Sequence, residues 1–266
     1  LIYCPHGWAF AQDVSSLSRH VYAWLERLLL NRTKGVICVS KHERDLAMRV
    51  GLPGDKLRVI PNGIADIPLI ERNKRQMAGG LAEDTIHFVF VGRFDRQKGI
   101  DILVEAARML HDEKIHFHIV GKATKPEETI DFSGMDNISE YGWISRDEVV
   151  RLFSIADAMI MPSRWEGLPI AGIEAFRSGL PVIASNCSAM PELVSHGETG
   201  LLFEVDNANA LAESLKGLGR DRLGPMGARA RSTYEELYGI ERQHRAIIDL
   251  YCELADNTGV LDRLHS

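Results

Sequence analysis

Phe88-Val89-Phe90-Val91-Gly92-Arg93-Phe94-Asp95-Arg96-Gln97-Lys98-Gly99-Ile100 reads as three things in succession: a strand, a glycine-bearing loop carrying cations, and the opening of a helix. The apolar residues before Gly92 follow one another instead of alternating, which suits a strand buried on both faces of a parallel sheet. Runs of the same kind stand at Gly35–Val39, Leu57–Ile60, Ile115–Val120, Ala158–Met161 and Pro181–Ala184. Between them lie helical patterns at Ser16–Leu30, Lys41–Val50, Asp101–His111, Ser145–Ser154, Ile170–Ser178 and Ala208–Leu218. Strands alternating with helices predict a doubly wound α/β architecture.

The chain breaks once in character. Ile60-Pro61-Asn62-Gly63 is a turn signal after a strand, and the residues that follow are charged and glycine-bearing. This places a first lobe over residues 1–65, a linker over 66–84 and a second lobe over 85–235. A long charged helical pattern from Tyr234 to Leu264 forms a last segment, 236–266. Ser16–Leu30 puts Val21, Trp24, Leu25, Leu28 and Leu29 on one stripe, read as a helix packed on a sheet, with a membrane interface as the alternative. A net charge of −6 argues against broad attraction to nucleic acid, and no apolar run approaches a membrane span. Cys4, Cys38, Cys187 and Cys252 are scattered without a CxxC pair, which fits buried thiols in a reducing compartment and argues against a zinc site.

Chemistry concentrates beyond the strand ends, where open α/β sheets bind ligands. Arg93 and Lys98 after Gly92 are placed to meet an anion; by themselves they fit solvated loop charges equally well. Pro162-Ser163-Arg164-Trp165-Glu166-Gly167-Leu168-Pro169-Ile170-Ala171-Gly172-Ile173-Glu174-Ala175-Phe176 follows another buried strand and opens a helix, with Pro169 suited to its first turn and Gly179 to the residue after its end. Free amides at that helix start offer an anion site. Glu166 then sits in the loop and Glu174 inside the helix, about two turns further along than Glu166, a separation that suits the two ends of a sugar nucleotide. A capping acid and a solvated acid fit the same two positions. No GxGxxG or GxxxxGK[ST] occurs, so hydride transfer and P-loop phosphoryl transfer lose support. His6 ends a short apolar strand before Gly7, where it could donate to a substrate oxygen or serve structure alone. His116 and His118 alternate along a strand without a third ligand and read as partly exposed. Ser145 and Glu148 form a capping box whose backbone could also hold a nucleobase edge.

In their order these stretches resemble family 4 of the retaining glycosyltransferases, which have the two-lobed GT-B fold. The likeness runs through His6-Gly7, Val39-Ser40, Ile60-Pro61-Asn62-Gly63, Val91-Gly92-Arg93, Gln97-Lys98-Gly99, Gly142-Trp143, Pro162-Ser163 with Glu166 and Glu174, Ser178-Gly179-Leu180-Pro181, Pro191-Glu192 and Gly197-Glu198-Thr199-Gly200. It implies two Rossmann-like lobes, the first incomplete at its start, and a final helix that returns to the first lobe. It implies that Arg93 and Lys98 grip a donor diphosphate, that Glu166 contacts the transferred sugar, and that Glu174 takes the ribose hydroxyls. Gly92, Gly167 and the backbone of Leu168, Ile170 and Ala171 would line the donor, with Ile144 beside the base and His6 approaching from the other lobe. Pro169 departs from relatives that carry Gly, and so removes one backbone N–H.

The resemblance further implies transfer of a hexose from a nucleoside-diphosphate sugar, UDP ahead of GDP, to the hydroxyl of a saccharide or lipid-linked saccharide in polysaccharide or glycolipid synthesis. No cofactor and no metal are expected, since Asp-x-Asp is absent from the sequence. The expected setting is the cytoplasm at the inner face of the plasma membrane, with peripheral contact through preceding N-terminal residues. A non-catalytic nucleotide-sugar-binding fragment and a GT-B sugar-nucleotide epimerase are the competing readings.

Overall fold

Most of the continuous apolar runs become strands buried on both faces; Leu57–Val59 is a strand with only Leu57 fully buried. In the computed structural model, which describes residues 1–30, 32–69 and 84–256, they build two parallel sheets. The chain divides into two compact units, 1–65 with 237–266, and 66–236. Residues 70–83, most of the expected linker, lie outside the described residues, as do 257–266 at the end of the expected last segment. Residues 66–69 belong to the second unit, where Asp66 accepts both Arg231 Nη1 and Nη2 at 2.7 Å.

The first unit holds strands β1 (Ile2–Tyr3), β2 (Gly35–Cys38) and β3 (Leu57–Val59), paired in the order β1-β2-β3. Helices α1 (Ser16–Leu30) and α2 (Lys41–Arg49) connect them. Trp8, Phe10, Leu30, Val36, Cys38 and Ala47 form one core on this sheet. Ile37, Ile60 and Leu250 form another, joined by Ala246, Ile247 and Leu254. The last three and Leu250 lie on the final helix, Ile240–Asp256, so that helix packs on the first unit's sheet.

The second unit is a six-stranded parallel sheet in the order β6-β5-β4-β7-β8-β9. Its strands are β4 (Ile86–Val91), β5 (Ile115–Val120), β6 (Ile138–Gly142), β7 (Ala158–Met161), β8 (Val182–Ser185) and β9 (Gly200–Phe203). Its helices are α3 (Ile100–Met109), α4 (Arg146–Ile155), α5 (Ile170–Arg177), α6 (Met190–Leu193), α7 (Ala208–Leu215) and α8 (Arg220–Leu237), the last of which reaches the boundary between units. The final helix is α9. Strand order reverses between β4 and β7, so the loops leaving these two neighbours diverge and open a crevice at their carboxyl ends.

Four expectations are corrected. The pattern from Tyr234 onward is two helices, broken at Tyr238-Gly239 because Ile64 bonds there: its N–H donates to Tyr238 O at 2.9 Å and its carbonyl accepts from Ile240 N at 3.0 Å. Pro169 is the N-cap of α5, one position before the first turn. The apolar stripe of α1 does not pack on the sheet: Val21, Trp24, Leu25, Leu28 and Leu29 are all exposed, and the buried residues of α1 are Glu26 and Leu30. His118 is buried, not partly exposed, because β6 covers β5 and because His87 on β4 stands beside it. His87 Nδ1 lies 3.1 Å from His118 Nε2, and His118 Nδ1 lies 2.8 Å from Tyr141 Oη. His116, half-buried, completes the group through Ser139 Oγ at 2.8 Å.

Burial first, then the neighbouring His116 and His87, hold the His118 imidazole down at about 3, against an ordinary value near 6.5. The folded state therefore keeps this ring neutral where the unfolded chain would protonate it. That contribution is complete above pH 6.5 and is lost as pH falls from 6.5 towards 3. Urea unfolding at pH 5 is expected to show a folding free energy lower than at pH 7 by on the order of 2 kcal/mol from this residue. His118→Gln should flatten that slope; an equal slope in the variant would contradict the assignment.

Candidate donor-binding site

The connections leaving β4 and β7 run towards opposite edges of the sheet, and the loops that begin them touch at the base of the crevice. Gly99 has φ +66, and a Cβ there would stand 2.1 Å from the Pro162 carbonyl oxygen, so only glycine permits this approach. Arg164 N donates to Gln97 O at 2.8 Å, and Gln97 Nε2 donates to Trp165 O at 3.1 Å. The same Gln97 accepts from Arg93 Nη2 at 3.1 Å. One glutamine thus joins the cation loop to the acid loop and steadies Arg93. Asp95 shapes the turn itself, accepting from Lys98 N at 2.9 Å and pairing with Arg93 at 3.0 Å.

At the meeting point Lys98 Nζ lies 2.5 Å from Glu166 Oε1, and Ser163 Oγ donates to the same oxygen at 2.9 Å. Both charged side chains are largely buried, at 21% and 7% exposure, whereas Arg93 is half exposed. Lys98 has three donors, so its pair with Glu166 leaves capacity for an incoming anion. Cys187, after β8, donates its thiol to Ser163 O at 3.0 Å; burial, helped by the charge of Glu166, pushes that thiol up to about 11. Both effects favour the neutral thiol, and its hydrogen bond seats it beside Ser163.

Behind the acid loop starts α5. Its Pro169 carbonyl accepts from Gly172 and Ile173, and the amides of Ile170 and Ala171 precede any intrahelical acceptor. Gly167 and Leu168 lead into this start, with Leu168 buried and the Ile170 side chain half exposed. Glu174 sits one turn inside α5 and pairs through Oε1 with Arg146 Nη2 at 3.1 Å. Arg146 opens α4, directly after the loop holding Ile144. That loop is fixed at both ends: Gly142, with φ +64, accepts from Gly121 N at 2.9 Å, and the expected capping box is present, with Glu148 Oε2 taking Ser145 N at 2.8 Å.

The structure therefore joins Lys98 to Glu166 and Arg93 to Gln97 beyond β4 and β7, with Gly92 on the first of these loops and Gly167, Leu168, Ile170 and Ala171 following the second; Ile144 lies two residues before Arg146, the partner of Glu174. His6 belongs to the first unit, where it is exposed with φ +49 at the end of β1. Sequence reasoning missed Gln97, Asp95, Arg164 and Arg146 as positioning residues. The partners of Gln97, Arg164 and Arg146 lie on other strand–loop–helix units, far along the chain, so no local spacing announces them. Among the described residues no His, Cys, Asp and Glu side chains form a group of three or more able to hold a metal ion.

Residues 71–234 match the family model described as glycosyl transferases group 1. The chain belongs to this family. Residues 1–63 match a glycosyl transferase 4-like domain. A protein from the cps region of Klebsiella pneumoniae is 33% identical over 80% of this chain and 60% of its own length. An Escherichia coli UDP-Gal:alpha-D-GlcNAc-diphosphoundecaprenol alpha-1,3-galactosyltransferase is 27% identical over 97% of this chain and 70% of its own. The chain thus spans less than two thirds of the first relative. Sucrose-phosphate synthase from Thermosynechococcus elongatus shares the fold at a TM-score of 0.83 and 24% identity, covering 96% of this chain and 68% of that one. Anabaena HepE, solved with UDP and glucose, shares it at 0.79 and 18%, covering 94% and 71%. The expected GT-B class of α/β fold is the fold observed.

Arg164 holds the loop that carries Glu166 in place. Its guanidinium reaches Asp101 with two bonds at 2.7 and 3.0 Å, Asp206 at 2.7 Å and Arg96 O at 2.8 Å. Asp101 and Asp206 are about half exposed, so solvent screens the pairs. Arg164→Ala is expected to lower the unfolding free energy by about 1–2 kcal/mol after that screening, read by urea denaturation. Arg164→Lys should recover only part, because it cannot make the forked contact with Asp101.

Proposed function

We propose that the protein transfers a hexose from a nucleoside-diphosphate sugar to an acceptor hydroxyl with retention at the anomeric carbon and without a metal. The observation that carries this reading is the Lys98–Glu166 contact at the mouth of the β4–β7 crevice, with Arg93 beside it and the α5 amides behind it. The hard step is departure of a diphosphate. Two cations and a helix start neutralise that charge as it develops, and one well-placed donor of this kind contributes on the order of 3 kcal/mol to lowering the barrier. Glu166, already oriented by Ser163 and Lys98, is suited to accept hydroxyl hydrogens of the sugar. Glu174, held by Arg146, is suited to accept those of the ribose.

The anomeric carbon–oxygen bond to the diphosphate breaks, the acceptor oxygen bonds to the same face, and a phosphate oxygen takes the acceptor's proton. Support for a UDP-sugar and a lipid-linked saccharide acceptor comes from the Escherichia coli relative, whose name specifies both. The family setting supports a role in polysaccharide or glycolipid synthesis at the cytoplasmic face of the membrane; no helix among the described residues is long and apolar enough to cross one.

Titration calorimetry with UDP tests the site. Lys98→Ala and Arg93→Ala are each expected to weaken UDP binding at least about tenfold, because each removes a charge-assisted contact. Glu166→Ala should leave UDP affinity nearer the parent value and erode discrimination between UDP-sugars. Unchanged UDP affinity in both cation variants would discredit the site. Nucleotide affinity and turnover should survive chelation with EDTA; loss of either would refute the metal-free mechanism.

A further inference from the structure

Helix α1 is inside out. At about 100° per residue, Ala23, Glu26 and Leu30 fall within roughly 60° of arc, and Leu17, Val21, Trp24 and Leu28 occupy a similar arc on the opposite side. The first group faces the sheet: Glu26 and Leu30 are buried there, with Tyr3 Oη donating to Glu26 Oε1 at 3.3 Å. Burial raises the Glu26 carboxyl above its usual range. The second group points away, with Leu17 75%, Val21 46%, Trp24 58% and Leu28 44% exposed. A helix that covered a core would do the reverse, turning its leucines inward and its carboxylate to water.

A structural neighbour in the same layer does not account for this. Helices lying side by side on one sheet touch at their flanks, where Leu29 lies, whereas the stripe of Leu17, Val21, Trp24 and Leu28 points away from the sheet. Its surroundings are cationic: Ser16–Lys34 contains Arg19, Arg27, Arg32 and Lys34 against Glu26 alone, a balance of +3 in a chain of −6, and the one acid is the buried one. All four cations are exposed at the residue level. Apolar residues on the outer face, a tryptophan among them, with arginine and lysine beside them and no exposed acid, match the chemistry of an anionic bilayer surface.

We infer that α1 is a membrane-docking helix that lies in the plane of an anionic lipid surface with Leu17, Val21, Trp24, Leu25 and Leu28 in the headgroup–acyl boundary. The inference stands on α1 and is read without nucleotide, so it fails or holds separately from the donor site. It fits a lipid-linked acceptor, which would be presented at such a surface.

Flotation with vesicles of phosphatidylcholine containing phosphatidylglycerol, against vesicles of phosphatidylcholine alone, tests it on the full chain. Binding to the anionic vesicles is expected, weakened by salt. Trp24 fluorescence should be quenched by bromine-labelled acyl chains, and Trp24→Phe should remove that quenching. The pair Leu25→Glu and Leu28→Glu, on exposed positions, should weaken vesicle binding at least about tenfold while leaving the circular dichroism spectrum and UDP affinity unchanged. Absence of binding to anionic vesicles, unquenched Trp24, or equal binding by the double variant would each overturn the inference. So would a dimer that the double variant dissociates in the absence of any vesicle binding, which would make the stripe a contact between copies.

Discussion

The second unit depends on two loops being allowed to come within bonding distance across the reversal of strand order. That constraint is met by Gly99, whose missing side chain lets the cation loop rest on the Pro162 carbonyl. From it follow the Gln97 bridge, the seating of Arg164 over the opening of α3, and finally the 2.5 Å pair of Lys98 with Glu166. A methyl group at position 99 would push apart groups 68 residues distant in sequence. The chemistry therefore rests on packing between backbones before it rests on any charge.

The Lys98–Glu166 pair also explains how a site can carry opposite charges and still favour a dianionic ligand. A buried carboxylate without a cation would raise the cost of every arriving phosphate oxygen. With Lys98 bound to it, the pair is close to neutral, and the ammonium keeps donors for the ligand. Arg93, half exposed and restrained by Asp95 and Gln97, adds net positive charge at the mouth. Arg146 does for Glu174 what Lys98 does for Glu166. Each acid suited to a hydroxyl is thus held by its own cation, from a different loop.

The strands and the two acids were legible because their signals are local. Unbroken apolar runs announce burial on both faces, and a loop that follows such a run and opens a helix places Glu166 and Glu174 without any knowledge of neighbours. What escaped the sequence is what depends on distant partners. Ile138–Gly142 became a strand although Ser139 and Glu140 interrupt its apolar pattern, because β5 offers it a paired edge. Arg220–Leu237 became a helix despite Pro225, and within it Arg231 finds Asp66 far upstream. His87 gave no signal of its own; it joins His118 only through the register that sets β4 beside β5.

Helix α1 shows the other limit of a periodic pattern. Period reveals that a helix has two faces, but not which of them meets the protein. A stripe of leucines and a tryptophan is ordinarily a core face, and on that rule α1 belonged on the sheet. The residue that decides otherwise is Glu26: a carboxylate turned inward onto Tyr3 fixes the rotation of the whole helix, and the apolar side must then face outward. Burying an acid is costly enough that such an orientation persists only when the opposite face has somewhere favourable to go. Inverted amphipathy is therefore better evidence of an external surface than any count of exposed leucines, since scattered exposed apolar residues are common and a whole helix turned over is not.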